Sequence, residues 1–115
     1  MLESLPFEGT IKVRNKGVDI AVLADAETVE LAFAASRQLV VCGISTAVLE
    51  VTCFDPIDIR TLAYYEKTTP CMLAMTKKIA HAVRKALISD TPMDVFEGDT
   101  VAQVVKAVRE TVKRK

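Results

Sequence analysis

The stretch "VCGISTAVLEVTCFDPIDIRTL", Val41–Leu62, contains one complete helix–strand–helix connection of an α/β domain. Gly43 suits the position just after a helix, because glycine adopts the left-handed conformation that side chains with a Cβ avoid. The apolar run that follows is typical of a buried strand. Asp55 and Pro56 then suit the start of a second helix, where the missing N–H of proline costs nothing. The loop between the strand and the second helix has few reactive side chains besides Cys53. This segment is therefore either a minimal catalytic site or a structural scaffold.

Further strands lie on both sides of this segment. Ile11 and Val13 alternate with polar residues, which predicts a half-buried strand with both side chains turned inward. The segments Val18–Ala24 and Pro70–Thr76 are almost continuously apolar and predict two central strands covered on both faces. Pro92–Phe96 is a short additional strand. Because helical segments alternate with these strands, the sequence predicts a three-layer α/β/α sandwich.

Helical periodicity predicts four helices between and after the strands. They are Ala26–Val41 capped by Asp25, a helix from Pro56 to about Lys67, Lys77–Ser89, and a C-terminal helix capped by Asp99 or Thr100. The apolar arc of the first helix is wide, which indicates a second contact beyond the sheet. Valines at helical spacing form a single apolar stripe along the last helix.

Length and composition limit the possible classes of protein. With 115 residues the chain is expected to form one domain, residues 1–115, of which 1–8 form a short N-terminal arm. Fifteen basic and fifteen acidic residues balance, which argues against a nucleic-acid partner. No apolar run reaches the roughly 18 residues that span a bilayer, so no membrane partner is expected. The N-terminus lacks the apolar core of a signal peptide.

The three cysteines, Cys42, Cys53 and Cys71, have no CxxC spacing and are odd in number. This pattern predicts reduced thiols in a cytoplasmic protein rather than a disulfide framework. Cys42 and Cys71 are expected to lie in the core.

Four segments, taken in order, resemble the C-terminal domain of transketolase-type thiamine diphosphate enzymes. They are "KGVDIAVLAD" (16–25), "VELAFAASRQLVVCGISTAVLEV" (29–51), "FDPIDIRTL" (54–62) and "MDVFEGD" (93–99). That family includes transketolases, 1-deoxyxylulose-5-phosphate synthases and the β subunits of 2-oxoacid dehydrogenases. The resemblance extends over roughly residues 8–112 and implies a five-stranded mixed sheet with the strand Thr10–Arg14 antiparallel to the others.

The resemblance also implies what this chain lacks. In the family, thiamine diphosphate and Mg²⁺ lie between two other domains, which supply the Gly-Asp-Gly metal motif and the catalytic Glu. Neither region is found in this sequence. The expectation is therefore that the chain has no catalytic residues and binds no cofactor itself, and that thiamine diphosphate and Mg²⁺ enter only through a partner chain. The family's Gly-Ser after the first central strand is replaced by Ala26 and Glu27, and its glycine-rich loop before the next-to-last helix is missing.

Three functions remain open on this basis. The first is a stand-alone interaction, regulatory or assembly module, expected to be a homodimer. The second is a small subunit of a split transketolase or 2-oxoacid oxidoreductase, completed by a thiamine diphosphate-binding partner subunit. The third is a module that binds a small anion. Whether the chain takes part in catalysis is left open by the sequence, but catalysis by this chain alone is not expected.

The candidate anion site lies where the implied strand order reverses, between the two central strands. Ligands of open α/β sheets bind in the crevice at such a point. Asp25 follows one strand, and Thr76, Lys77 and Lys78 follow the other. Free N–H groups at a helix start, together with two ammonium groups, suit a phosphate or carboxylate. The alternative is an ordinary helix capped by Thr76, with solvated lysines that pair with Asp25.

The other reactive side chains are better explained by structural roles than by catalysis or metal binding. His81 lies in a helix between basic residues with no partner triad in the sequence, and is expected to be exposed or half-buried. A carboxylate such as Asp55 would raise the pKa of the Cys53 thiol and oppose nucleophilic chemistry. Asp55 and Asp58 are read as helix-start residues rather than metal ligands. Tyr64 and Tyr65 are adjacent in a helix, so one is expected in the core and the other on an interaction surface.

Overall fold

The computed structural model describes residues 10–54, 57–87 and 91–114, with the side chain of Arg114 excepted. Its elements alternate as the sequence predicts. In chain order they are β1 Ile11–Asn15, β2 Ile20–Ala24, α1 Val29–Val41, β3 Thr46–Val51, α2 Ile59–Thr68, β4 Met72–Ala74, α3 Lys77–Ala86, β5 Met93–Val95 and α4 Val101–Arg114. None of the helices in these ranges has the length and apolar character needed to cross a membrane.

The strands form one mixed sheet in the order β1-β3-β2-β4-β5. β1 runs antiparallel to β3, with Ile11 opposite Val51, and the remaining neighbours are parallel. The five-stranded mixed sheet with one antiparallel strand is therefore confirmed. Because the chain moves from β2 to β3 in one direction and from β3 to β4 in the other, the sheet has a reversal point between β2 and β4.

Helices cover both faces of the central strands. Every residue of β2 and β4 is buried, as expected for strands between two helical layers. α1 and α4 contact each other. The right-handed rule for connections between parallel strands puts α2 and α3 on the opposite face, because the chain crosses the sheet in the other direction there. Val104 and Val108 of α4 have no exposed surface. The wide apolar arc of α1 therefore has its second contact within the chain, against α4, and gives no support for a homodimer.

The end of α1 is fixed by Gly43, as the sequence predicts. Gly43 has a φ of 77°. Its N–H donates to the carbonyl of Val40, and the N–H of Ile44 donates to the carbonyl of Leu39, both at 3.0 Å. These two bonds form a Schellman motif, which satisfies carbonyls that the helix leaves without partners. Cys42, at the C-cap of α1, is exposed, so its expected place in the core is wrong.

Two helices begin later than predicted. α1 starts at Val29 rather than Ala26, because the Asp25 carboxylate accepts the N–H groups of Glu27 and Thr28 and organises a turn there. α2 starts at Ile59, and its cap is Asp58, which accepts the N–H of Thr61 at 3.1 Å. Asp55 and Pro56, the predicted start of this helix, lie outside the described residues. In both places several cap-forming residues stand close together, so sequence alone does not select the start.

The prediction for β1 is half right. Ile11 is buried, but Val13 is 42% exposed. Arg14, the next residue along the strand, donates hydrogen bonds to Glu50 at 2.8 Å and to Glu30 of α1 at 3.1 Å. Because neighbouring side chains of a strand point to opposite faces, Val13 is on the α2 side of the sheet. β1 is an edge strand with a register shift after Val13, and the sheet surface next to α2 stays open there.

Candidate functional site

The sheet brings the predicted anion-site residues to one edge. The N–H of Met75 donates to the carbonyl of Leu23 at 2.9 Å, which joins the carboxyl ends of β4 and β2. Asp25 and Thr76 come directly after these ends. The sequence therefore predicts correctly that the two loops are neighbours at the reversal point of the sheet.

The polar groups in these loops are used largely by the loops themselves. One carboxylate oxygen of Asp25 accepts the N–H of Glu27, and also the N–H and hydroxyl of Thr28 at 3.1 and 2.9 Å. The hydroxyl of Thr76 accepts the N–H of Ile79 at 3.1 Å and caps α3, as predicted. These bonds account for the local structure without a ligand.

The two lysines of the candidate site are on the surface. Lys77 and Lys78 are both exposed, and the Lys77 ammonium lies 3.9 Å from the carboxylate of Glu97. An exposed pair at this distance contributes little to stability. Anion binding by Asp25, Thr76, Lys77 and Lys78 stays a prediction.

The other candidates occupy structural positions. His81 is exposed on α3, and Cys53 is half-buried after β3. Asp58 is buried as the cap of α2, and its second carboxylate oxygen accepts the hydroxyl of Thr61 at 2.8 Å. Asp55 lies outside the described residues. Within the described ranges, no three or more His, Cys, Asp and Glu side chains come together in a group that could hold a metal ion.

Sequence reasoning missed a groove between the end of β1 and helix α2, which we call the β1–α2 groove. It has a volume of about 560 Å³. Its lining includes Val13, Lys16, Val18, Arg60, Tyr64 and Tyr65. In the sequence, only the adjacent tyrosines indicate the β1–α2 groove. The sequence alone does not distinguish an exposed valine from a valine in the core.

The two tyrosines divide as predicted. Tyr65 is only 5% exposed, whereas Tyr64 is 59% exposed. Their ring centroids are 5.0 Å apart in an edge-to-face arrangement, which favours contact between aromatic rings. Burial raises the pKa of Tyr65, and the neighbouring Tyr64 raises it further. Tyr65 is therefore the floor of the β1–α2 groove, and Tyr64 is its exposed wall.

Solved structures with the same fold include two kinds of enzyme. The chain aligns with a split-gene transketolase, described as an inactive β4 tetramer, with a TM-score of 0.83 and 20% identity over 97% of this chain. It aligns with a 2-oxoglutarate:ferredoxin oxidoreductase from Magnetococcus marinus with a TM-score of 0.76 and 14% identity over 92% of this chain. A transketolase from Leishmania mexicana gives a TM-score of 0.62 and 17% identity over 91%.

This chain spans only part of each of these proteins. It covers 43% of the split-gene transketolase chain, 20% of the oxidoreductase chain and 18% of the Leishmania mexicana chain. No protein-family model matches the sequence, and no curated protein matches it. The agreement of the sheet order, the antiparallel edge strand and these alignments establishes that the chain has the fold of a transketolase C-terminal domain.

Proposed function

We propose that the chain is a small subunit of a split transketolase-type enzyme, in which it contributes to assembly and a partner chain provides the active site. The observation that carries this proposal is the alignment of 97% of the chain with less than half of a split-gene transketolase chain. A subunit of this kind needs surface for a partner rather than a catalytic centre. The exposed tyrosine and valines of the β1–α2 groove supply such a surface.

The cofactor is assigned to the partner. The family that the sequence resembles uses thiamine diphosphate with Mg²⁺, a cation that prefers carboxylate and other oxygen ligands. The described residues contain no group of acidic side chains that fits such an ion. We therefore derive no catalytic step for this chain, and its role in an enzyme is to bind the subunit that holds the cofactor.

The test measures the native mass of the purified chain by light scattering, before and after mixing with lysate from its own source. Captured proteins are identified by mass spectrometry, with the affinity tag alone as control. We expect one partner at fixed stoichiometry that binds thiamine diphosphate when purified. A homodimer that captures no such partner would contradict the proposal and favour the independent interaction module.

Anion binding at the sheet reversal has a separate test. The Asp25 carboxylate is held by its own turn, and Lys77 has only a weak exposed pair with Glu97, so an anion can reach the ammonium groups of Lys77 and Lys78. Inorganic phosphate is titrated into the chain and into a variant with Lys77→Ala and Lys78→Ala, and amide NMR shifts are recorded. Shifts near Thr76 that vanish in the variant would support the site, and shifts that survive would place any phosphate elsewhere.

A further inference from the structure

Three separate segments place exposed apolar groups around one groove. Val13 comes from β1, Val18 from the connection to β2 and Tyr64 from α2. They are 42%, 62% and 59% exposed, respectively. Isolated apolar side chains on a surface need no explanation, but a cluster around a concave surface is typical of an interaction site. The β1–α2 groove therefore has the character of a binding surface.

One wall of this groove, the connection from β1 to β2, is tied to the start of β3. The side-chain amide of Asn15 donates to the carbonyl of Thr46 at 2.8 Å, and the N–H of Val18 donates to the hydroxyl of Ser45 at 3.1 Å. Gly17 lies directly against the backbone of β3. A surface that is ordered in advance loses little conformational entropy when a partner binds, so more of the contact energy remains as affinity.

The charge around the groove has one sign. The described residues that line it include Lys16 and Arg60, both exposed, and no carboxylate. Arg60 makes a contact of its own in the structure, so Lys16 is the cation that would pair with a ligand. A cationic rim around an apolar floor is complementary to a carboxylate placed beside an apolar side chain.

We propose that the β1–α2 groove binds an acidic segment of a partner chain, with an apolar or aromatic side chain of that segment against Val18 and Tyr64 and a carboxylate at Lys16. This inference rests on the proposed function and identifies the surface through which the subunit contacts its partner. The apolar contact supplies affinity, and the charge at the rim selects acidic segments over basic ones.

The test uses two synthetic nine-residue peptides, one alternating Glu with Leu and Phe, the other with every Glu replaced by Lys. Each is titrated into the isotope-labelled chain, and amide shifts are followed. We expect the acidic peptide to shift signals from Lys16, Val18 and Tyr64, and the basic peptide to leave them unchanged. Tyr64→Ser and Lys16→Glu should each weaken binding about tenfold, corresponding to about 1.4 kcal/mol.

Matched controls distinguish binding at the groove from nonspecific binding to other exposed apolar or basic side chains. Val41→Ser removes another exposed apolar side chain, and Lys78→Glu reverses another exposed lysine, and neither residue lines the groove. Neither should change the affinity for the acidic peptide. Equal binding of both peptides, equal affinity in Lys16→Glu, or no shifts with either peptide up to about 1 mM would overturn the proposal.

Two further outcomes separate this inference from the proposed function. If a thiamine diphosphate-binding partner is captured equally well by the Tyr64→Ser and Lys16→Glu variants, the groove is the wrong surface but the subunit proposal stands. If Tyr64→Ser instead abolishes a concentration-dependent doubling of mass by the chain alone, the occupant is a second copy, and the acidic-partner proposal is wrong.

Discussion

Thr46 has a buried hydroxyl that makes no hydrogen bond to any described residue. An unsatisfied buried polar group costs about 1–3 kcal/mol, so replacing it with a methyl group of the same shape should help. We expect Thr46→Val to raise the free energy of unfolding by about 1 kcal/mol in urea titrations.

The matched control for this change is Thr111→Val. The Thr111 hydroxyl is also buried, but it lies 2.6 Å from the carboxylate of Asp94. Losing that bond should lower the free energy of unfolding by about 1–2 kcal/mol. Effects of the same sign in both variants would mean that hydrogen bonding does not decide the cost at Thr46.

Gly17 is the position where the fold has least room for a side chain. A Cβ there would lie 2.3 Å from the backbone nitrogen of Ala47 and 2.3 Å from the carbonyl carbon of Thr46. Because backbone atoms of a central strand cannot move aside cheaply, we expect Gly17→Ala to cost at least about 2 kcal/mol. Chemical denaturation measures this cost.

Gly43→Ala is the comparison for Gly17. Gly43 has space around it, and only its left-handed backbone opposes a side chain, so the cost should be about 1 kcal/mol. An equal or smaller cost at Gly17 would contradict the close contact. The sequence identifies the role of Gly43, since it ends an apolar helix, but not that of Gly17, since the opposing backbone lies about thirty residues further along the chain.

At the scale of elements, α4 begins with a reciprocal cap. The hydroxyl of Thr100 accepts the N–H of Gln103 at 3.2 Å, and the side-chain carbonyl of Gln103 accepts the N–H groups of Asp99 and Thr100. This is a capping box. We expect Gln103→Ala to lower the free energy of unfolding by about 1 kcal/mol, whereas Gln103→Glu, which keeps an acceptor, should be close to neutral. Urea titration followed by circular dichroism checks both, and an equal loss in both variants would exclude capping as the cause.

The first residues of helices α3 and α1 show where a helix start can be predicted from the sequence. Thr76 is the only cap-forming residue just before α3, and its predicted role is confirmed. Before α1, Asp25 and Thr28 both suit a helix start, and the helix begins after the second. Propensity therefore locates a helix start where one candidate stands alone, and where two compete, as before α1, local hydrogen bonds decide.

At the scale of the whole molecule, the fold follows from the alternation of apolar strands and periodic helices, because covering both faces of a parallel sheet leaves few other arrangements. The anion site and the β1–α2 groove do not follow in the same way. Sequence places Asp25 and Thr76 at one sheet edge and predicts the cap at Thr76, but it does not show that the Asp25 carboxylate is used by its own turn. It assigns Val13 to the core, because nothing local shows that α2 leaves this part of the edge strand uncovered.

The pH dependence of global stability gives a last test of the packing beneath the groove. Burial raises the pKa of Tyr65 above its ordinary value, and Tyr64 adds to this effect. Above about pH 10 the unfolded chain loses this proton while the folded chain keeps it, so the unfolded state binds fewer protons. The free energy of unfolding should therefore be unaffected by this group below about pH 10 and fall as the pH rises beyond it. Urea titrations from neutral pH into this alkaline range measure the fall.

The substitution Tyr65→Phe removes the titrating group and keeps the ring in the core. We expect the alkaline fall in the free energy of unfolding to become shallower in this variant. Tyr64→Phe should change it less, because Tyr64 is exposed and acts only through its neighbour. Absorbance titration of the phenolates in the folded variants identifies which tyrosine ionises late. If Tyr65→Phe has the same alkaline slope as the original chain, Tyr65 does not hold its proton in the folded state, and the floor of the groove is more accessible to water than its burial indicates.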